Sequence, residues 1–257
     1  MRPVLHNYFR SSTSYRVRIA LALKGVDYDY LALHLRKNEH RSPQYLAINP
    51  QGLVPSLIWS DGGALTQSMA IIEFLDEVFP EPPLLPSDPL GRARVRSLSH
   101  VVALDIHPLN NLRVLAYVRD HFGADDAAQA SWFRHWVNEA FEALEARLAT
   151  DRETGRFCHG DKLSLADICL YAQLVNNRRF DIDLSPYPTI QRIGANIATI
   201  EAFQSAAPDQ QPDSETPVVA AKPFSAEPDT GVRRGGEGSG THNGQGAGRE
   251  HAPRRIP

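Results

Sequence analysis

The feature that most limits what this chain can become is a change of hydrophobic period across one proline-dense stretch, Glu81-Pro82-Pro83-Leu84-Leu85-Pro86-Ser87-Asp88-Pro89. Proline lacks the amide donor and clashes with the preceding turn, so the stretch reads as a stiff linker that no helix crosses. On its N-terminal side, short segments of opposite type alternate. Residues 4–8 read as a strand, and 14–24 carry Val17, Ile19, Ala20, Leu21 and Leu23 at helical spacing, closed by Gly25 just past the helix end. Strands are expected at 28–35, at 54–59 and briefly at 64–67, with a short helix or turn at 42–47 and a turn at Ser60-Asp61-Gly62-Gly63. Ser68 opens a helix whose apolar face is Met69, Ile71, Ile72, Leu75, Val78 and Phe79, stopped by Pro80. The order is βαβ followed by ββα.

Beyond the prolines nearly every period is helical, over residues 90–104, 108–122, 130–149, 164–177 and 190–203. The chain therefore divides into an α/β domain at 1–82, a linker at 83–89 and an all-α helical-bundle domain at 90–207. From Pro208 onward about 15 of the last 50 residues are Gly or Pro. Apolar content that low does not offset an ordering entropy of about 1–2 kcal/mol per residue, so 208–257 is expected to be a disordered Gly/Pro-rich tail.

Composition narrows the function classes. The 27 Lys and Arg against 30 Asp and Glu give a formal net charge of −3, and no basic run is interleaved with aromatics, so nucleic acid is not an expected partner. No apolar stretch approaches the roughly 18 residues a spanning helix needs, and the N-terminus lacks a secretory apolar region, which points to a cytoplasmic protein without a membrane partner. The only cysteines, Cys158 and Cys169, are too few for a disulfide framework or a metal cage, and no Cys-x-x-Cys exists for redox exchange. Residues 1–157 contain no thiol, so sulfur chemistry in the first half must come from a ligand.

Several local motifs could hold one. Phe9-Arg10-Ser11-Ser12-Thr13-Ser14 places hydroxyls and unpaired N–H groups at a helix N-terminus, a place for an anion; plain capping by Ser12 or Ser14 would use the same residues. Gln67-Ser68 repeats the arrangement. Val54-Pro55 begins a strand at a residue that cannot donate to the ladder; the ordinary trans bond needs no ligand, whereas a cis bond leaves neighbouring backbone groups free to pair with an added peptide strand. Ser164-Leu165-Ala166-Asp167 is a capping box and reads as structural, with Cys169 on the apolar side of its helix. His107, Asn110, Asn111 and Arg113 cluster around Pro108, and Arg178-Arg179 follows a helix, where a guanidinium either complements the helix end or clamps a carboxylate.

Taken together, the stretch from Tyr8 to Ile19 (YFRSSTSYRVRI), Asn49-Pro50-Gln51-Gly52-Leu53-Val54-Pro55, Gln67-Ser68-Met69-Ala70-Ile71-Ile72-Glu73 and Leu163-Ser164-Leu165-Ala166-Asp167 resemble the zeta-class glutathione transferases, over about residues 3–213. The resemblance implies a thioredoxin-like, glutathione-binding domain at 1–82 and a helical domain after it. Glutathione is then the cofactor and a homodimer the expected assembly. It also implies glutathione-dependent cis–trans isomerisation of a maleyl-type dicarboxylic acid, maleylacetoacetate or maleylpyruvate, in aromatic catabolism. Carried over residue by residue, glutathione contacts fall on Ser11, Ser12, His40, Val54, Gln67, Ser68, His107, Asn111 and Arg113, while Arg10 and Arg179 take the substrate carboxylate. No metal is implied. The family usually reads Ser-Ser-Cys-Ser where this chain has Thr13, a departure that favours the maleylpyruvate-type members.

A thiol of pKa about 8.5 is only a few per cent ionised at neutral pH, and lowering that value by two units takes roughly 2.7 kcal/mol of preferential anion stabilisation. One or two charge-assisted hydrogen bonds supply about that much, which assigns Ser11 or Ser12 and the adjacent N–H groups to the thiolate. Two other readings remain at this point: a general glutathione transferase or peroxidase, and a non-catalytic binding module on the same fold.

Overall fold

The structure, a computed structural model, describes residues 2–59 and 62–215. Four short strands, β1 (Val4–Asn7), β2 (Asp29–Ala32), β3 (Ser56–Ile58) and β4 (Ala64–Thr66), form one sheet in the order β2-β1-β3-β4. β1 runs parallel to β2, with Leu5 opposite Tyr30, and antiparallel to β3, with Leu5 opposite Leu57; β4 closes the edge antiparallel to β3. The parallel pair requires a crossover, which α1 (Ser12–Leu23) supplies. Lys24 follows it, and Gly25 at φ +62° supplies the left-handed residue that ends the helix. A short α2 (Pro43–Ile48), capped by Ser42, precedes β3, and α3 (Ser68–Val78) follows β4, so the expected βαβ-ββα order is present.

The remainder is helical: α4 (Pro89–His100), a π-helical stretch (Val101–Ile106), α5 (His107–Leu109), α6 (Leu112–Phe122), α7 (Asp126–Thr150), α8 (Leu165–Asn177), α9 (Pro188–Ala198) and α10 (Glu201–Ser205). Two helices expected as continuous are broken. The 108–122 segment parts at Asn110-Asn111, where Asn111 is extended (φ −69°, ψ 147°) and its side chain caps α6. The 190–203 segment parts where Ile200 is extended ahead of α10. Hydrophobic period alone does not register either break, because the apolar residues resume in phase on the far side. No helix among the described residues is long and apolar enough to cross a membrane.

α1 packs against α3, α8 and α10, and every residue from Ser14 to Leu21 is buried. Leu5, Val17, Ile19, Leu57, Ile71 and Leu75 join Phe141, Leu165, Ile168 and Leu174 in one continuous core across the linker. The long α7 lays Phe133, Val137, Phe141, Leu144 and Leu148 along its inner face, the three- and four-residue spacing of a helical stripe. Packing of these helices over α1 also buries two arginines, Arg16 and Arg18. Arg18 is satisfied there: Nε donates to Ala206 O (3.0 Å), Nη1 to Asn7 Oδ1 (3.0 Å) and Nη2 to Phe9 O (3.0 Å).

At the start of α8, Asp167 is fully buried and accepts from Ser164 N (2.8 Å), Ser164 Oγ (2.7 Å) and Cys158 N (2.8 Å). This is the structural role expected of the capping-box segment. Cys158 and Cys169 are free and buried, and burial raises both thiols, so neither supplies a thiolate.

The tail begins later than position 208. Pro208–Gln210 form a 3-10 turn, and Gln211 Nε2 donates to Ser205 O (3.0 Å) and Ala207 O (2.9 Å). Asp213 then accepts from Phe9 N (3.1 Å) and from the Tyr30 hydroxyl, and Glu215 meets His34 Nε2 at 2.7 Å. Polar composition suggested a solvated segment, but Gln211 is held by the end of the helical domain, and Asp213 and Glu215 find specific partners on the sheet domain. Residues 216–257, the rest of the expected tail, lie outside the described residues, as do Ser60 and Asp61 of the expected turn.

Candidate active site

The polar run at residues 10–14 folds into the first turn of α1 and the residues before it. Ser11, in extended backbone (φ −71°, ψ 118°), is the N-cap, and its Oγ accepts from Ser14 N at 3.2 Å. Capping had been expected of Ser12 or Ser14. The helix starts earlier than its apolar period, because three hydroxyl residues in its first turn carry no hydrophobic signal. Thr13 Oγ1 donates to Val54 O (3.0 Å) and lies 2.8 Å from Ser11 Oγ. Thr13 has one proton and spends it on Val54, so Ser11 donates to Thr13. The Ser12 and Thr13 N–H groups belong to the first turn and have no acceptor within the helix.

Val54, whose carbonyl Thr13 engages, precedes a cis peptide bond to Pro55. The chain reaches it through Gly52 at φ +57°, where a Cβ would come within 2.9 Å of both His40 O and Arg41 Nη1. Only glycine fits this close approach. His40 is shifted toward the neutral form, first by burial and then by the Arg41 charge, and its buried Nδ1 has no protein partner.

From the helical domain, α5 brings His107 against the first turn of α1. His107 Nδ1 lies 3.3 Å from Ser12 Oγ, and Asn111 Nδ2 lies 3.3 Å from His107 Nε2. The imidazole keeps some surface toward the cavity but is surrounded by protein. Burial, followed by the charges of Arg16 and Arg113, pushes its pKa down to about 3, so it is neutral at physiological pH. Arg16 is fully buried behind it, with Nε and Nη2 unpaired.

Apart from the buried Arg16, these groups line a cavity of about 680 Å³ between the sheet domain and the helices. Its lining carries an unusual charge. Arg10, Arg36, Arg41, Arg113, Arg119 and Arg179 all line it, and no Asp or Glu does. Among the described residues, Arg119 alone of these six has an ion pair, at 2.8 Å to Asp120, which lies outside the lining. Arg179 has its pKa lowered to about 10 by burial and then by Arg10 and Arg36, yet it remains charged at neutral pH. Its guanidinium lies 5.5 Å from the centre of the Phe180 ring, which stacks on Phe133 at 3.8 Å. Clustered cations without carboxylates hold a site ready for a multiply charged anion, with hydroxyl and N–H donors at one end and an apolar surface beside the guanidinium groups.

Comparison with known proteins accords with this architecture. Residues 10–78 match the glutathione S-transferase N-terminal domain family, and residues 111–201 match its C-terminal domain family. A maleylpyruvate isomerase of a Ralstonia species is 52% identical over 212 residues, 82% of this chain and 99% of that protein. The holo structure of a maleyl pyruvate isomerase, described as a bacterial zeta-class glutathione S-transferase, superposes with a TM-score of 0.80 at 50% identity, over 82% of this chain and 99% of that one. The chain belongs to the zeta-class glutathione transferase family. A maleylacetoacetate isomerase of Methylobacterium extorquens AM1, solved with bound malonate and glutathione, shares the fold at TM-score 0.81 and 41% identity, over 83% of this chain and 100% of that one.

Within this zeta-class framework the cavity brings together Arg10, Ser11, Ser12, His40, Val54, His107, Asn111, Arg113 and Arg179 of the residues singled out in the sequence. Gln67 and Ser68 lie outside its lining, at the start of α3. Gln67 holds the rarely adopted φ +69°, ψ 114°, and its Nε2 donates to Gln51 Oε1 at 3.0 Å, adjoining the Gly52–Val54 wall. Sequence reasoning missed Arg36, Arg41, Arg119 and Phe180, which line the same cavity. Arg36 follows Leu35 in a short 3-10 turn with no periodic pattern, so nothing local marks it.

Proposed function

We propose that this protein is a glutathione-dependent cis–trans isomerase of maleyl-type dicarboxylic acids, of the maleylacetoacetate or maleylpyruvate type. The observation that carries the reading is the pairing, in one cavity, of six guanidinium groups without a lining carboxylate and an open helix N-terminus bearing hydroxyls. Named relatives with these activities, and a neighbour that holds malonate and glutathione together, support it.

The donor set suits glutathione. The tripeptide is anionic at both carboxylates and at an ionised thiol, and the cavity offers cations, an unpaired buried His40 Nδ1 and free first-turn N–H groups. When bound, glutathione supplies the thiolate whose reversible addition turns the substrate double bond into a single bond. The chain's own residues do the rest. Ser12 and the first-turn N–H groups stabilise the sulfur anion, helped by the positive end of α1, while Ser11, whose own proton passes to Thr13, caps the helix and holds that turn in place. Val54, His40 and Arg113 flank the peptide portion, and Gln67-Ser68 stand one hydrogen bond beyond that wall. Arg10 and Arg179 hold the substrate carboxylate and oppose the negative charge that develops on its carbonyl oxygen. The expected homodimer and cytoplasmic location follow from the family resemblance; sedimentation of the purified protein tests the first and cell fractionation the second.

The deciding experiment is an ultraviolet assay of maleylacetoacetate and maleylpyruvate with and without glutathione, with product analysis. Isomerised product at catalytic glutathione supports the reading. Stoichiometric accumulation of a glutathione conjugate would instead identify a detoxifying transferase, and isomerisation without glutathione would overturn the assignment.

A further inference from the structure

Asn111 lines the cavity, and each end of its amide also makes one contact within the protein, which leaves one N–H of its NH2 group for a ligand. As the N-cap of α6, it accepts with Oδ1 from Arg113 N at 3.1 Å. That bond settles which end of the amide is oxygen, so the end facing His107 Nε2 at 3.3 Å is the NH2 group. An amide nitrogen donates and does not accept, so Nε2 must be the lone-pair nitrogen of the neutral ring. The single imidazole proton then resides on Nδ1, which lies 3.3 Å from Ser12 Oγ. Ser12 accepts from His107, and the Ser12 hydroxyl proton is left without a protein acceptor, at a residue that lines the cavity. Ser11 differs, because its proton passes to Thr13.

We propose that Asn111 is a positioning residue: it fixes His107 as the Nδ1–H tautomer, which turns the Ser12 hydroxyl proton toward the cavity as a donor to the glutathione sulfur. The opposite tautomer would make Nδ1 an acceptor and draw the Ser12 proton away from the cavity. The cap of α6 is thus coupled to the polarity of a hydroxyl on α1, across 95 residues of sequence between Ser12 and His107. The proton arrangement in the free protein follows from the hydrogen bonds alone, whereas its catalytic meaning rests on the glutathione reading above.

The test uses the full chain labelled with 15N and two cap-preserving variants. Ser and Asp are both good N-caps, so Asn111→Ser removes the donor to Nε2 without adding charge, and Asn111→Asp replaces that donor by an acceptor. The His107 ring nitrogens, assigned by comparison with His107→Gln, are expected to show protonated Nδ1 and lone-pair Nε2 in the natural protein. Asn111→Ser should give a mixture and Asn111→Asp the reversed pattern. Thiolate absorbance of bound glutathione, titrated against pH, should have its midpoint raised by about one unit in Asn111→Ser, the scale of one hydrogen bond to a charged group. Asn111→Ser should add little to that rise once Ser12 is already alanine. A natural protein with Nε2 protonated overturns the proposal, as does an Asn111→Ser variant whose tautomer and thiol midpoint are unmoved, or full additivity with Ser12→Ala. Failure of glutathione to bind would sink the functional reading, while the ring-nitrogen signals of the free protein would still decide the tautomer.

Discussion

Removing the Arg179 side chain tests the carboxylate clamp most directly. Arg179 faces the cavity with Arg10 and Arg36, and no lining carboxylate offsets them. A charge-assisted hydrogen-bonded pair contributes about 1.5–3 kcal/mol, which at about 1.4 kcal/mol per decade corresponds to roughly 10- to 150-fold in kcat/KM. Arg10 and Arg36 remain in Arg179→Ala, and their mutual repulsion with Arg179 is relieved, so the lower half of that range is expected. The loss should appear in KM for a dicarboxylic substrate, through the carboxylate that is held in ground state and transition state alike, and in kcat, through the charge that develops only on addition. Arg179→Lys should recover part of it, retaining charge but not the planar fork. The natural protein should also lose affinity for dicarboxylates as pH rises through about 10, where Arg179 releases its proton, and Arg179→Ala should lack that limb. The assay is steady-state kinetics on a maleyl dicarboxylate beside an uncharged electrophile that takes up glutathione. Equal losses on both substrates would refute a clamp, since an uncharged compound has no carboxylate to hold.

Ser11→Ala should cost about 1 kcal/mol of stability through the lost cap, and Ser12→Ala should lower kcat/KM about tenfold or more and also cost about 1–3 kcal/mol of stability, because it leaves the His107 Nδ1–H without its acceptor; unaltered turnover in Ser12→Ala would remove the thiolate assignment. His107 has a folded pKa of about 3, below the ordinary 6.5, so between these values the unfolded chain binds a proton that the native one does not. Stability should therefore rise with pH across that window, and urea titrations of His107→Gln should show a shallower slope; an unchanged slope would contradict a buried neutral ring. Asp167→Ala strands three donors that now share one carboxylate. A loss of about 3–5 kcal/mol, or roughly 6–20 °C in Tm for a chain this size, is expected by calorimetry, and a shift under about 2 °C would show that the capping box carries little weight.

Much of the site was legible before any coordinates, because its parts announce themselves locally. Four consecutive hydroxyl residues before an apolar helix mark an open N-terminus, and Ser164 to Asp167 mark a cap, through signals that depend on residues three or four apart. The same locality explains the misses. Arg36 carries no pattern, and Asn111 sits inside an apolar period that continues past it in phase, so its break of the helix is invisible to periodicity. The family resemblance placed Asn111 in the site but could not show that its amide also caps α6 and faces His107.

By itself the sequence determined the alternation of strand and helix before the prolines, the helical run after them and the absence of any thiol before Cys158. These are properties of composition and of short-range spacing. Only the tertiary structure decided that Arg16 and Arg18 are interior, since α1 is packed against α3, α8 and α10 and a basic residue's burial depends on what packs over it. It likewise decided that Asp213 returns to Phe9 across 204 residues, and that His107 meets Ser12. Such pairs are set by how the chain closes on itself, and proximity of that kind leaves no trace in the spacing of neighbours.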